Sequence, residues 1–127
     1  EMANQWAVNV RGSHRLLEGG IKRLMRPRKL GFVVGFLSEA MGITGTAAKN
    51  MGGYIIAKYG LLGLMKVIDA EYSWLDVHTI EPGFTDTPML DVFDERFLEQ
   101  MRDSQPDKRF ASPDDIAQDI ITKITAS

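Results

Sequence analysis

Tyr54 and Lys58 stand four residues apart in Tyr54-Ile55-Ile56-Ala57-Lys58, a spacing that puts a phenol and an ammonium on one face of a helix. A free phenol gives up its proton only near pH ~10, too high for acid–base work near neutrality. A protonated lysine beside it favours the phenolate, and a phenol so placed can protonate a carbonyl or deprotonate an alcohol. The spacing alone is a weak signal, because the chain holds three Tyr and seven Lys, and Tyr59 and Tyr72 have Gly63 and Asp76 at the same offset. By itself the pair is better read as a partly exposed helix face, so its neighbours must decide.

The elements that would position the pair can be read in order. From about Gln5 to Met25, Trp6, Val10, Leu17, Ile21 and Leu24 keep a three-to-four spacing that predicts a first helix with one buried face. Gly12, Gly19 and Gly20 within it predict close packing or a local irregularity, since each costs about 1 kcal/mol relative to Ala in a helix. Arg26-Pro27 ends the helix. Gly31 to Ser38 is a continuous apolar run with β-branched and aromatic residues, read as a strand buried on both faces, as in parallel sheets. The glycine-rich stretch 39–53 reads as a loop, to which the strand delivers Ser38 at its carboxyl end, where open α/β sheets bind ligands.

A second helix is predicted from about Gly53 to Tyr72, apolar almost all round through Ile56, Tyr59, Leu61, Leu64, Met65, Ile68 and Tyr72, as in a helix buried on more than one side, with Gly60 and Gly63 permitting a close neighbour. Trp74 to Ile80 reads as a second strand that ends in the turn signal Glu81-Pro82-Gly83. Strand, helix and strand in this order make a right-handed crossover. Phe93, Phe97 and Met101 recur every four residues on a third helix of about Asp91 to Arg102. Ser112-Pro113-Asp114-Asp115 opens a fourth with a Ser N-cap, Pro at the first helical position and acids in the first turn. Ile116, Ile120 and Ile124 give that helix an apolar stripe.

Composition bounds the function. With 127 residues, 44% hydrophobic and 25% charged, the chain is at most one globular domain. It shows no run of about 18 apolar residues and no secretion signal, so no membrane partner is expected. The absence of Cys fits a reducing, cytoplasmic setting and excludes thiolate chemistry. His14 and His78 have no cluster of ligands around them in sequence, so no metal site is expected. A net charge of -2 conceals halves of about +6 (residues 1–60) and about -8 (61–127). The tightest basic run, Lys22, Arg23, Arg26, Arg28 and Lys29, lacks interleaved aromatics and is broken by Pro27, so it reads as a solvated helix end rather than a nucleic-acid site.

Taken together, Asn9-Val10-Arg11-Gly12 in the first helix, Ser38 after the first strand, Tyr54 with Lys58, and Pro82-Gly83-Phe84-Thr85-Asp86-Thr87 after the second strand form a series. It resembles the carboxyl-terminal half of a short-chain dehydrogenase/reductase, and Arg109 to Ala117 has the same family's cadence. The resemblance spans nearly all of residues 1–127 and implies part of a Rossmann-like, doubly wound α/β sheet with roughly two strands and four helices. It implies Tyr54 as acid/base, Lys58 lowering its pKa while bonding the nicotinamide ribose, Ser38 polarising the substrate oxygen, and Asn9 holding a relay water. Pro82, Gly83 and Thr87 would wall the nicotinamide of NAD or NADP, with a small alcohol or ketone as substrate.

Departures accompany the matches. Ser38 lies 16 residues before Tyr54, about three more than the family's usual interval, and Leu37 stands where a second Ser is common. A strand-end cap is the other reading of Ser38. Thr79 replaces a frequent Asn, and Glu81 puts a charge beside the expected cofactor pocket. The glycine-rich phosphate-binding turn is absent from these residues, and pyrophosphate normally sits on a helix N-terminus reached through that turn. Two functions follow: an oxidoreductase completed by an upstream segment or a partner chain that carries the amino-terminal half, or a non-catalytic association module derived from the family. An unpaired strand edge and two apolar helices lead us to expect a twofold homo-oligomer.

Overall fold

Apolar residues at helical and strand spacings settle into two units, residues 2–81 and 82–126. The computed structural model describes residues 2–126.

The first unit begins with a continuous helical stretch, α1, over residues 2–25. It is α-helical at Met2–Trp6 and Ser13–Gly20, with π-type turns at Ala7–Gly12 and Ile21–Met25. The irregularity predicted from its glycines is therefore present: Gly12 closes the first π stretch, and Gly19 and Gly20 precede the second. Wider π turns shift the angular phase of a helix, and the expected buried face is only partly kept. Ile21 is buried and Leu17 packs on the core, but Leu24 is turned outward. A 3₁₀ turn at Arg26–Arg28 ends α1, and Lys29 takes a left-handed conformation there.

Strand β1 (Phe32–Phe36) leads through Ser38 and a 3₁₀ turn at Glu39–Met41 to helix α2 (Gly52–Glu71), and then to strand β2 (Asp76–Ile80). The strands pair in parallel, Phe32 opposite Asp76 and Phe36 opposite Ile80, as the crossover requires. Ile21 of α1, Val33 of β1, and Leu61, Met65 and Ile68 of α2 share one core with Leu37, Met41 and Leu75.

Two expectations are corrected. β1 is buried on one face only: Val33 faces the core, whereas Phe32 and Phe36 are 40% and 45% exposed. A uniformly apolar strand needs cover on both sides to bury all its residues, and within this unit α1 and α2 share the core of one face. Likewise α2 buries a single stripe (Ile55, Ala57, Leu61, Met65, Ile68) and leaves Ile56, Tyr59 and Val67 exposed. Among the described residues β1 pairs with β2 alone.

The two α2 glycines also part company. A Cβ on Gly60 would meet Val10 Cγ2 at 2.7 Å and the Trp6 ring at 2.8 Å, while one on Gly63 would meet nothing within 4 Å. Overpacking costs about 1–3 kcal/mol and the helical gain of Ala over Gly is about 1 kcal/mol. Gly60→Ala should therefore lower stability by about 1 kcal/mol, and Gly63→Ala should raise it by up to about 1 kcal/mol. Urea midpoints of the two variants check the opposite signs.

In the second unit a 3₁₀ turn (Pro88–Val92) precedes helix α3 (Glu95–Asp103) and helix α4 (Pro113–Thr125). The third helix starts later than its Phe93 periodicity implied, because extended Asp94 caps it by accepting from the Arg96 amide, and Phe93 instead closes the 3₁₀ turn. Phe93 still stacks on Phe97, and Phe84 packs against both rings and Phe110. α4 opens with the expected Ser112 N-cap, here a full capping box with Asp115. The Ser112 amide and the Arg109 guanidinium together hold the Asp115 carboxyl below its usual range. No helix among the described residues is long and apolar enough to cross a membrane.

Candidate functional site

α2 carries the reactive pair, and its buried stripe fixes the rotation of the helix against β1 and α1. On that helix the Lys58 Nζ lies 5.6 Å from the centre of the Tyr54 ring. The same ammonium donates to the Phe36 carbonyl at 2.8 Å, at the carboxyl end of β1. Lys58 is thus aimed at the end of the strand where Ser38 emerges. Partial burial pulls its pKa below the ordinary lysine value, since desolvation penalises the charged form.

A folded-state value below the unfolded one means the buried ammonium costs stability at neutral pH, and that cost is relieved as pH rises through the lowered value toward the usual one. Lys58 should accordingly titrate below the normal lysine range in carbon-13 NMR of its ε-methylene, and the downward displacement should vanish on unfolding in urea.

Ser38 is extended, and its Oγ accepts from the Ala40 amide at 3.2 Å, capping the 3₁₀ turn. The strand-end cap and a role toward a substrate are compatible, because a hydroxyl that accepts still has its own proton to donate. The long interval to Tyr54 is absorbed by a loop that folds back on itself: Gly45 N donates to Gly42 O at 3.0 Å and Ala48 N to Ala40 O at 2.9 Å. Gly42 makes the reversal with φ 64°.

Asn9 lies in the first π stretch of α1 and spends its amide on its own helix, donating to Gln5 O at 3.1 Å. In the second unit Pro82 and Gly83 open the chain, and the Thr85 hydroxyl donates to Gly83 O at 3.2 Å. Asp86 N donates to Ala111 O at 2.8 Å, which ties this segment to the approach of α4. Thr87 precedes the 3₁₀ turn, where its carbonyl accepts from Leu90 N and its side chain makes no capping bond.

One contact escaped the sequence reading. The Tyr59 hydroxyl donates to Met41 O at 3.2 Å across 18 residues. Its only sequence signal is a tyrosine directly after Lys58, on a helix facing a glycine-rich loop.

A parallel strand–helix–strand crossover with a Tyr–Lys pair on its helix and Pro-Gly after its second strand is part of a doubly wound, Rossmann-like α/β domain. A family model described as Enoyl-(Acyl carrier protein) reductase matches residues 1–122. The chain belongs to the short-chain dehydrogenase/reductase family, a family of oxidoreductases. It is 27% identical over 116 residues to the 3-oxoacyl-[acyl-carrier-protein] reductase FabG of Aquifex aeolicus, covering 90% of this chain and 45% of that protein. It is 32% identical over 72 residues to the cyclohexanol dehydrogenase of an Acinetobacter species, covering 55% of this chain and 28% of that one. A crystal structure of an oxidoreductase of the short-chain dehydrogenase/reductase family from Burkholderia thailandensis superposes with a TM-score of 0.79 at 25% identity, over 94% of this chain and 47% of its own. The chain therefore spans less than half the length of these relatives.

Proposed function

We propose that the chain supplies the nicotinamide side of an NAD(P)-dependent oxidoreductase that interconverts a small alcohol and its ketone. The observation that carries this reading is Lys58, an ammonium one turn from Tyr54 and anchored on the carbonyl that ends β1. Its donor set suits the group: a half-buried ammonium with one proton on Phe36 O keeps two for ribose hydroxyls. When bound, the nicotinamide supplies the hydride chemistry. Tyr54 exchanges the proton at the substrate oxygen, Ser38 donates a hydrogen bond to that oxygen, and Asn9 holds a water behind Lys58. Pro82, Gly83 and Thr87 wall the nicotinamide, with Thr87 toward its carboxamide. The work is cytoplasmic, in keeping with a chain free of Cys.

Residues 1–127 hold no phosphate-binding turn, so a complementary amino-terminal half, upstream or on a partner chain, completes the site. The 127 residues alone should bind NADH or NADPH no more tightly than about millimolar in calorimetry, and a micromolar constant, about 4 kcal/mol tighter, would overturn that division of labour. We further propose a twofold assembly through the outer faces of α1 and α2, where Val8, Leu16 and Leu24 and then Ile56 and Val67 are exposed. A monomer mass that persists on dilution in light scattering would rule it out.

A further inference from the structure

We infer that Tyr59 is a positioning residue, which together with Lys58 clamps segment 36–41 to α2 and so fixes Ser38 relative to Tyr54. Two consecutive helical residues point about 100° apart, and here both reach the same short segment from different sides. Lys58 Nζ holds Phe36 O, two residues before Ser38, at 2.8 Å. The Tyr59 hydroxyl holds Met41 O, three residues after it, at 3.2 Å. Between these grips Leu37 N donates to Ile80 O at 2.8 Å, and Ser38 Oγ accepts from Ala40 N. Met41 buries its side chain to 1% exposure while Tyr59 takes its carbonyl, so both sides of that residue are fixed and the turn cannot rotate freely.

Tyr59 is 43% exposed, so its hydroxyl is not required for burial. A neutral, half-exposed hydrogen bond adds little to global stability. What it supplies is geometry. The stretch 42–51 that returns the chain to α2 is long for this family's interval, and a longer connection leaves its ends less constrained. The clamp ties Ser38 to the helix that carries Tyr54, making one body of the two groups meant to meet the substrate oxygen. The role of Ser38 rests on the oxidoreductase reading, whereas the clamp stands on geometry alone.

Tyr59→Phe removes the hydroxyl and keeps the ring. In the enzyme completed by its amino-terminal half, kcat should fall about 10-fold, since misplacement by an ångström costs up to about 100-fold, while KM for the cofactor stays unchanged. In a Ser38→Ala background the same change should cost nothing further, because Tyr59 acts through Ser38. Full kcat in Tyr59→Phe, or an equal loss in the Ser38→Ala background, overturns the proposal. Should the parent show no turnover, the oxidoreductase reading fails, and amide exchange in the 127-residue chain decides the clamp. Tyr59→Phe should then speed exchange at Ala40 and Ala48 about 10-fold and leave the amides of 61–68 unchanged; unaltered rates at Ala40 and Ala48 overturn it.

Discussion

Tyr54→Phe is expected to abolish turnover, by at least about 100-fold and up to about 10,000-fold, the range over which a positioned acid–base group acts. The change deletes one hydroxyl and almost no volume. Tyr54 is half-buried and makes its ring contact with Lys58 through the aromatic face, which Phe preserves. The thermal midpoint should therefore remain within a degree or two, the consequence of a surface change of a few tenths of a kcal/mol. Measuring rates and melting together separates chemistry from folding. Near-normal rates in Tyr54→Phe, assayed with the amino-terminal half present, would remove Tyr54 from the mechanism and the oxidoreductase proposal with it.

Gly42→Val should cause the largest loss of stability of any single change considered, about 3 kcal/mol. Gly42 sits at φ 64°, where a β-branched residue is a genuine outlier. A side chain there would also collide with the Ala47 amide and the Thr46 carbonyl, and backbone cannot step aside as a side-chain tip can. Gly35 offers the contrast: its Cβ would be crowded by the flexible Met65 side chain, at 2.7 Å, and would meet Thr79 Cγ2 at an ordinary contact distance of 3.7 Å. Gly35→Ala should cost about 1–2 kcal/mol as Met65 repacks, and urea denaturation ranks the two. Because the Gly42 reversal sets the path from Ser38 to α2, Gly42→Val should also lose activity in whatever fraction stays folded.

What could be read from sequence was local or periodic. Tyr54 and Lys58 are neighbours by helical spacing, and their structure agrees. The crossover was legible because a short apolar run, a long helical one and another strand leave few topologies, and the strands are indeed parallel. The Ser112 cap needs only four residues to be recognised, and it is there.

The remainder depended on what lies far off in the chain. Whether Phe32 and Phe36 are covered cannot be read from an apolar run, since burial depends on a neighbour and not on the strand. The outward turn of Leu24 follows π turns that the glycines announce as an irregularity without telling which side chains it turns outward. Tyr59 and Met41 meet across 18 residues through a main-chain carbonyl, a group every residue has. Phe93 promised a longer α3, but Asp94 competes locally by capping from an extended conformation.

The half-covered strand has a consequence for how copies of the chain meet one another. Phe32-Val33-Val34-Gly35-Phe36 is uncharged, free of Pro, and rich in aromatic and β-branched residues, the composition of segments that nucleate amyloid-like stacking. Charge stands guard on both sides of it, with Arg28 and Lys29 before and Glu39 after, and Gly35 interrupts its middle. Such gatekeepers slow self-stacking without preventing it. Concentration therefore sets the balance: the 127 residues are expected to stay dispersed when dilute and to stack through this strand as concentration rises.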